Sequence, residues 1–352
     1  MFFGAKSIVG LDIGSSAVKA IEFQPASDGL KLVRFGFAQL PPEAIVQGSF
    51  MNAPAIASAV REACQGAGIK AKDAATSASG HAVIVKKITL PSQSSEELDE
   101  TIRWEAEQYI PFDINEVNVD YQILHDGSTD GQMDVLLVAA KKDLIDNYQT
   151  VIQDAGLNLV VMDVDAFALG NMYEFNHPTS SESGVALVDV GSAFININVI
   201  SGGIPIFTRD ITSGGNLYTE EIQKTLNLSF EEAERIKLGA KPGEVSKDVV
   251  PQEVEDAMRE VSETLVGEIQ RSLDFCRATT SSKSIDQIQL CGGSARVPGL
   301  PRLIQERTEV PVEVADPFAR IQIPPSADEE QLREFAPALC VAVGLGMRRS
   351  SE

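Results

Sequence analysis

The chain has 352 residues, of which 43% are apolar and 23% are charged, a balance typical of folded proteins with sizeable cores. It contains 29 Lys and Arg against 51 Asp and Glu, so its net charge at pH 7 is −22. This excess of acidic residues argues against general nucleic-acid binding and against docking by charge onto an anionic membrane. The length predicts two domains or several intertwined subdomains.

The sequence offers little for a disulfide, a metal centre or a membrane span. Its four cysteines have no CxxC spacing and its three histidines have no HxxH-type partner, so we expect reduced, buried thiols and no histidine site. The first six residues lack a basic stretch followed by an apolar run, so we expect no secretory signal. The best apolar run, at 184–200, contains Asp189, Asn196 and Asn198 and therefore cannot span a bilayer. These features favour a cytoplasmic protein.

The start of the chain predicts three strands joined by tight turns. A buried-strand pattern at 7–13 ends in a Gly-Ser-Ser turn at 14–16, and further strands are predicted at 17–23 and 31–39. Because a strand follows the turn at once, we interpret it as a hairpin turn rather than a strand-to-helix turn. An alanine-rich helix is predicted at 55–67.

A second module of strands and helices is predicted between residues 81 and 155. Its strands are predicted at 83–88, 117–124 and 133–140, and its helices at 96–110 and 142–155. The first helix repeats apolar residues at helical spacing, which predicts its buried face: Leu98, Ile102, Ala106 and Tyr109. Trp104, the only tryptophan in the chain, lies roughly on the opposite face.

The stretch from 184 to 210 repeats the beginning of the chain. Its strands are predicted at 184–190, 194–200 and 204–210. In both copies a buried strand leads into Asp, an apolar residue, Gly and Ser, followed by a hairpin, at 12–15 and at 189–192. Two copies of one turn predict a gene-duplicated protein with two lobes.

The rest of the chain predicts helices and one more strand. Helices are predicted at 215–226, 230–237, 252–281 and 335–347, with a polar loop at 241–250. A strand at 288–291 leads into Gly292-Gly293-Ser294, a third glycine-rich turn.

The two Asp-x-Gly-Ser turns fit the chemistry of a phosphate site. Glycine lets backbone amides approach an anion closely, and serine hydroxyls add further donors. A carboxylate before the turn would repel phosphate, so Asp12 and Asp189 are consistent with this site only through a hydrated Mg²⁺ ion. Lys19, one strand beyond the first turn, is placed to reach a phosphate. The alternatives are ordinary hairpins, in which Asp and Gly are turn formers, and a surface lysine.

The three turns, in this order, resemble those of the actin-like ATPases. The resemblance implies ATP and Mg²⁺ as cofactors between two lobes, with Asp12 and Asp189 holding the metal through water. The nucleotide-binding residues that it implies are Asp12, Gly14, Ser15, Ser16, Lys19, Asp189, Gly191, Ser192, Gly214, Gly215, Gly292, Gly293 and Ser294. The segment at 233–237 is similar to one in FtsA and MreB, which implies that Glu234 and Lys237 contact the ribose and adenine. Surface charges on a helix are the alternative for this pair.

Three stretches, at 3–19, 102–112 and 214–219, together resemble the PilM family of type IV pilus assembly proteins. The middle stretch is the most diagnostic, because other actin-like ATPases lack it. The resemblance implies an α/β fold: the actin-like two-lobed ATPase fold, with duplicated mixed sheets and an FtsA-like 1C subdomain. The implied subdomains are 1A (1–80, 156–183 with the connecting helix, and 321–352), 1C (81–155), 2A (184–213 and 285–320) and 2B (214–284).

The same resemblance implies a scaffold of the pilus machine. Its implied partners are the N-terminal cytoplasmic tail of the inner-membrane protein PilN and other pilus machine proteins, with no nucleic acid and no direct membrane insertion; a homo-oligomer or ring stays open. Trp104 is our candidate for partner binding, because a large aromatic residue on a solvated helix face is unusual. The alternative is that Trp104 packs against the neighbouring lobe.

Catalysis is where the chain departs from hydrolysing relatives, which place Gln or Glu near the γ-phosphate. The corresponding segment, at 163–170, contains Asp163 and Asp165 instead. Asp is one methylene shorter than Glu and reaches an attacking water poorly, so we expect ATP binding with slow hydrolysis. A helix N-cap is the alternative role for either residue.

Two other functions stay open. A sugar kinase of the same superfamily needs a sugar pocket, for which the sequence shows no motif, and residues 81–155 are too short for a large kinase insertion. The cell-division protein FtsA has a C-terminal amphipathic helix for the membrane, whereas this sequence ends straight after a buried-type helix, so we expect no such tether.

Overall fold

The computed structural model describes residues 7–27, 29–126, 131–177, 184–238, 252–280, 284–325 and 327–348. The strands are β1 Ile8–Ile13, β2 Ala17–Ala26, β3 Gly29–Gln39, β4 Ile45–Val46, β5 Ser49–Phe50, β6 Asp73–Ala78, β7 Val83–Pro91, β8 Val117–His125, β9 Gln132–Lys141, β10 Asn158–Val164, β11 Gly184–Val190, β12 Ile195–Ser201, β13 Ile204–Ile211, β14 Ile285–Cys291, β15 Val312–Val314 and β16 Ile321–Gln322. The α-helices are α1 Ala53–Gly66, α2 Ser95–Glu107, α3 Lys142–Asp154, α4 Asp165–Asn176, α5 Asn216–Leu226, α6 Phe230–Lys237, α7 Gln252–Thr279, α8 Leu300–Thr308, α9 Glu329–Phe335 and α10 Cys340–Gly346. The predicted loop at 241–250 lies outside the described residues.

The first sheet has six strands in the order β10-β6-β1-β2-β3-β16. β1, β2 and β3 are antiparallel neighbours, whereas β6 and β10 extend the sheet in parallel on the other side of β1. Helices α1 and α3 pack on one face of this sheet, where Ile56, Val60 and Ile152 are fully buried. Because both faces are covered, β1 is apolar along almost its whole length.

The second sheet repeats this arrangement with five strands in the order β13-β12-β11-β14-β15. β11, β12 and β13 are antiparallel neighbours, and β14 and β15 extend the sheet in parallel beyond β11. Helices α7 and α8 pack on its outer face, where Leu265, Ile269 and Leu273 are fully buried. The duplication that the repeated turn predicts is therefore confirmed.

Helices α4 and α10 pack against each other in a core that includes residues of both sheets. Gly344 of α10 lies so close to the backbone of Ala168 in α4 that a Cβ atom at 344 would overlap it. Gly10 of β1 approaches the backbone of Gly346 in the same way. Because glycine has no side chain, the backbones can approach this closely, and these contacts hold the two helices against the first sheet.

Residues 83–141 include a separate antiparallel sheet in the order β7-β9-β8, with α2 packed on it. The predicted buried face of α2 is confirmed, with Tyr109 just beyond the helix partly buried against the same core: Leu98, Ile102, Ala106 and Tyr109. We call this sheet and α2 the small module.

Helix α3 packs with the first sheet although the predicted 81–155 subdomain includes it. Its Tyr148, Val151 and Ile152 are buried in the core that α1 covers. The apolar face of α3 therefore packs in the core of the first sheet rather than in the core of the small module. The division of the chain into subdomains is otherwise a prediction.

Two elements differ from the sequence-based expectations. The segment predicted as a connecting helix begins with β10, so Asp163 lies on a strand and Asp165 is the first residue of α4. The predicted helix at 335–347 is divided, because a 3₁₀ turn at Ala336–Leu339 separates α9 from α10. Pro337 explains this change, since it has no amide hydrogen and its ring obstructs a continuous α-helix.

Candidate functional site

The first Asp-x-Gly-Ser turn joins β1 to β2 as a hairpin, as predicted. The amide of Gly14 donates to the carbonyl of Ala17 at 3.1 Å, which closes the turn. Asp12 and Lys19 are paired across the two strands, so their side chains lie on the same face of the sheet. Lys19 Nζ contacts Asp12 Oδ2 at 2.9 Å. Ser15 and Ser16 lie at the tip, where Ser16 is exposed.

The second turn joins β11 to β12 with the same geometry. The amide of Gly191 donates to the carbonyl of Phe194 at 2.9 Å. Asp189 is paired with Asn196, which occupies the place that Lys19 has in the first copy. Asn196 in turn donates to Asp210 Oδ1 on β13 at 2.7 Å. The two copies thus share one backbone turn but differ in the residue opposite the aspartate.

Aspartates from three different elements lie close enough that the charges of neighbouring carboxylates raise the pKa of two of them, Asp165 and Asp189. Burial, and then the charge of Asp12, raise the pKa of Asp165 to about 6. Burial also raises the pKa of Asp189 to about 7, where Lys19 opposes the shift and the other two aspartates add to it. We call Asp12, Asp165 and Asp189 the carboxylate cluster. Like charges this close favour a proton or a cation among them.

Lys19 is the cation that the structure places beside this cluster. Burial lowers the pKa of Lys19, whereas the negative charges of the three aspartates raise it, and Asp12 has the largest effect among the three. The aspartates outweigh burial, so the pKa of Lys19 lies above its ordinary value. The lysine therefore stays charged at neutral pH and is held toward the first turn. Gly14 leaves room for it, since a Cβ atom there would lie 3.2 Å from Lys19 Nζ.

The two candidate catalytic residues have different surroundings. Asp165 accepts a hydrogen bond from the hydroxyl of Ser77 at 2.5 Å and belongs to the carboxylate cluster. Asp163 is buried near the end of β10 and accepts from Arg348 Nε at 2.6 Å. Neither caps α4, because Val164 is its N-cap residue, so the capping alternative is wrong for both.

The predicted glycine pair lies directly against the second turn. The amide of Gly215 donates to the carbonyl of Gly191 at 2.9 Å. A Cβ atom on Gly214 would lie 2.7 Å from the carbonyl oxygens of Gly191 and Ser192. A side chain at 214 would therefore push the turn away from the start of α5. The structure brings these four residues together, as the resemblance implies.

The third glycine-rich turn also meets the second. Gly292 has a φ of +89°, and a Cβ atom there would overlap Asp189 Oδ1 and the carbonyl of Val190. Gly293 is exposed, and Ser294 Oγ donates to the carbonyl of Gly191 at 3.3 Å. Two segments that are distant in sequence, at 214–215 and at 292–294, thus contact one hairpin.

The buried Lys237 pairs with the half-buried Glu234 next to the start of α5. Lys237 Nζ lies 2.5 Å from Glu234 Oε1 and donates to the carbonyl of Gly215 at 3.4 Å. Thr219 donates to the other oxygen of Glu234 at 2.6 Å. Lys237 is only 3% exposed, so the alternative of surface charges is wrong for it. Burial lowers the pKa of Lys237, against the opposing effect of Glu234.

Contacts between the two lobes involve residues that the sequence analysis missed. The amide of Gly80, just after β6, donates to Asp210 Oδ2 on β13 at 2.5 Å. Next to it, His81 Nε2 and Thr212 Oγ1 are 2.9 Å apart. The ring of Phe194, in the second turn, lies 3.6 Å from where a Cβ atom of Gly80 would be. No local pattern indicates such pairs, because they join residues about 130 positions apart.

Trp104 is the most exposed large apolar residue in the described part of the chain, with 74% of its surface accessible. The alternative that it packs against the neighbouring lobe is therefore wrong. Its role as a partner contact stays a prediction.

Other expectations concern metals, thiols and membranes. All four cysteines are buried and free. Within the described ranges, no group of three or more His, Cys, Asp or Glu side chains has the geometry to hold a metal ion directly. A search of the same ranges finds no helix long and apolar enough to cross a membrane.

Comparisons with known proteins agree with this architecture. A family model described as type IV pilus assembly protein PilM matches residues 10–350. Cell division protein FtsA of Bacillus subtilis (strain 168) is 26% identical over 348 residues, which cover 88% of this chain and 78% of that protein. A solved structure described as the PilM-PilN type IV pilus biogenesis complex superposes with a TM-score of 0.84 at 29% identity, covering 97% of this chain and 98% of that one.

A more distant structure shows the fold alone. MreB5 of Spiroplasma citri, solved with bound AMPPNP, matches with a TM-score of 0.52 at 12% identity, covering 97% of this chain and 95% of that one. Together with the duplicated sheets, these comparisons confirm the predicted actin-like α/β fold.

Proposed function

The chain belongs to the family of type IV pilus assembly protein PilM, and we propose that it is an ATP-binding, actin-like scaffold of the pilus assembly machine. The observation that supports nucleotide binding is the convergence of the carboxylate cluster and Lys19 on the two duplicated hairpin turns. In this proposal the scaffold stands on the cytoplasmic side and reaches the inner membrane through a partner protein.

The residues of the two turns fit a nucleotide with Mg²⁺. Asp12 and Asp189 hold the metal through its water shell, because the cluster is crowded with negative charge yet lacks the geometry for direct ligation. Lys19 and the amides and hydroxyls of Ser15 and Ser192 face the phosphates. Bound Mg²⁺ supplies the positive charge that the cluster favours.

The second lobe provides the other end of the site. Gly214 and Gly292 let the start of α5 and the third turn lie closely against the second turn, since any side chain there would collide with it. Glu234 and Lys237 orient the ribose and adenine, with the ion pair between them holding both side chains in place. The remaining residues of the site are Gly14 and Ser16 in the first turn, and Gly191, Gly215, Gly293 and Ser294 at the end that the second lobe provides.

Hydrolysis in this proposal is slow. Asp165 is the better placed candidate to orient a water, because it lies in the carboxylate cluster, whereas Asp163 is paired with Arg348. Its short side chain is also held back by the hydrogen bond from Ser77. A phosphate-release assay on the purified protein should give turnover below the roughly 1–1000 per second of typical enzymes. Many turnovers per second without a partner would contradict this.

Calorimetry with ATP and Mg²⁺ tests the nucleotide site. Asp12→Ala and Asp189→Ala each remove one partner of the metal's water shell, so each should cost about 1–3 kcal/mol, or about 5- to 150-fold in Kd. Asp120→Ala is the matched control, since Asp120 is exposed on β8 in the small module. Unchanged affinity in both site variants would refute the assignment.

The proposed partner is the cytoplasmic tail of PilN, in keeping with the solved PilM-PilN complex that this chain resembles. We place the docking face on the small module near Trp104. Titrating a synthetic peptide of the PilN tail should change the fluorescence of Trp104, and calorimetry should give a matching affinity. No binding at concentrations up to about 1 mM, where the free energy of binding is about −4 kcal/mol, would contradict the link to PilN.

A further inference from the structure

The outward face of α2 presents one large aromatic ring to solvent. Trp104 lies in the last turn of the helix, and the opposite face packs Leu98, Ile102 and Ala106 into the core of the small module. At 74% exposure the indole is the largest free apolar surface on this helix. Exposed tryptophan is costly in a solvated position and is enriched at the centres of binding interfaces.

Two free carboxylates flank this ring. Residues three and four positions apart share a helix face, so Glu100 and Glu107 stand one turn before and one turn after Trp104. Both are exposed, and neither forms an ion pair within the part of the chain that the structure describes. Glu97, two turns before Trp104, instead completes a capping box with Ser94.

The small module already pairs aromatic rings with cations elsewhere. Lys86 Nζ lies 4.9 Å from the centre of the Tyr109 ring, and Lys141 Nζ lies 4.6 Å from the centre of the Phe112 ring. Trp104, whose ring attracts cations more strongly than Tyr or Phe, has no such cation among the described residues. The neighbouring Arg103 donates to the carbonyl of Ile114 at 3.0 Å, so it pairs with neither of the two glutamates.

We propose that this face, formed by Trp104, Glu100 and Glu107, docks a basic segment of a partner protein by stacking an arginine guanidinium on the indole. The planar guanidinium stacks on an aromatic face while its N–H groups reach carboxylates on either side. The inference rests on the proposed role of this helix face in partner binding. It does not depend on PilN being the partner, which the tail titration tests separately.

The charges beside Trp104 favour a basic protein segment as the partner over a nucleic acid, an anionic membrane or an apolar protein surface. Two carboxylates beside the ring would repel the phosphates of a nucleic acid or of an anionic membrane. A purely apolar partner would have to bury both carboxylates without a counter-charge, which is strongly unfavourable in the absence of pairing. An arginine side chain meets both requirements.

The test follows the single indole N–H resonance of the full-length protein by ¹⁵N NMR. The probe is an acetylated peptide, Gly-Ser-Arg-Gly-Arg-Ser-Gly, and the matched probe has citrulline, the neutral isostere, in place of both arginines. A local readout is necessary because a protein with a net charge of −22 attracts basic peptides elsewhere as well. The arginine peptide should shift the indole resonance with saturation, and the citrulline peptide should not.

Variants localise the effect. Glu100→Gln with Glu107→Gln should weaken the arginine-dependent shift about fivefold or more, since each lost carboxylate removes a charge beside the guanidinium. Glu255→Gln with Glu330→Gln, two exposed helix glutamates elsewhere, makes the same change in net charge and should leave the shift unchanged. Equal shifts from the two peptides, no shift up to about 10 mM, or an unaltered titration in the Glu100/Glu107 variant would each overturn the proposal.

Discussion

Asp189 is a carboxylate that folding places beside two other carboxylates. Burial and these neighbours raise its pKa to about 7, against an ordinary value of 3.8, so the folded protein binds a proton there that the unfolded chain releases. The contribution to stability is therefore full below about pH 4 and falls as the pH rises toward 7. Above that pH both states are ionised and the dependence ends.

Asp189→Asn should accordingly change how stability depends on pH. Below about pH 4 the variant and the wild type should have similar free energies of unfolding, because asparagine resembles the protonated acid and the unfolded wild-type chain is then protonated at this residue as well. By pH 8, without nucleotide, the variant should be the more stable by on the order of 2–4 kcal/mol, since each pKa unit is worth about 1.4 kcal/mol. Urea unfolding across this range measures the difference. A constant gap between the two proteins would contradict the pKa.

Gly292 allows the second and third turns to meet. Its φ of +89° and the overlap of any Cβ atom with Asp189 predict that Gly292→Ala costs about 2 kcal/mol or more. Gly293→Ala is a matched control for stability, because nothing lies within 4 Å of its Cβ position. Thermal unfolding should separate the two variants clearly. Similar melting temperatures would show that the turn has room to shift.

At the scale of the elements, glycine allows α4 and α10 to cross with their backbones in close contact. Gly344→Ala would drive a methyl group into the carbonyl of Ala168 and should destabilise the protein by about 1–3 kcal/mol. Gly267→Ala, in the middle of α7, should instead be neutral or stabilising by up to about 1 kcal/mol, because only the flexible Arg271 side chain lies nearby. Denaturant midpoints of the two variants should therefore move in opposite directions.

At the scale of the whole molecule, polar contacts join the two lobes, and the chain passes between these lobes more than once. Asp210 uses one carboxylate oxygen for Gly80 and the other for Asn196, so it connects the second sheet to the segment that leads into the small module. Together with the contact between His81 and Thr212, it is a polar connection across the two lobes. A change in the distance between the lobes would therefore directly move the segment at the start of β7.

Asp210→Asn should loosen this connection. An asparagine has one acceptor oxygen, so Gly80 and Asn196 cannot both keep their hydrogen bonds. Loss of one bond to a charged acceptor, worth on the order of 1.5 kcal/mol, should speed amide exchange at Gly80 about tenfold. Asp134→Asn is the control, since Asp134 accepts from Thr89 and pairs with Lys87 inside the small module. Unchanged exchange at Gly80 in the Asp210 variant would show that the Asp210 carboxylate does not hold this segment.

Much of this architecture can be predicted from the sequence, because its signals are local. The two hairpins follow from short apolar strands and the Asp-x-Gly-Ser turns, and Asp12 faces Lys19 because both flank the same turn. The buried face of α2 follows from its spacing of apolar residues. Each of these features depends on residues within a few positions of one another, where backbone geometry alone relates pattern to structure.

Other features were decided only by the tertiary structure. The sequence leaves Asp163 and Asp165 equivalent. In the structure Asp163, on β10, pairs with Arg348, whereas Asp165, the first residue of α4, belongs to the carboxylate cluster. Likewise α3 packs with the first sheet, and Gly80 meets Asp210, through contacts between distant residues. Such contacts depend on how whole surfaces pack after the elements have formed, and no spacing along the chain encodes them. The sequence alone determined which residues are available for chemistry, and packing determined which of them meet.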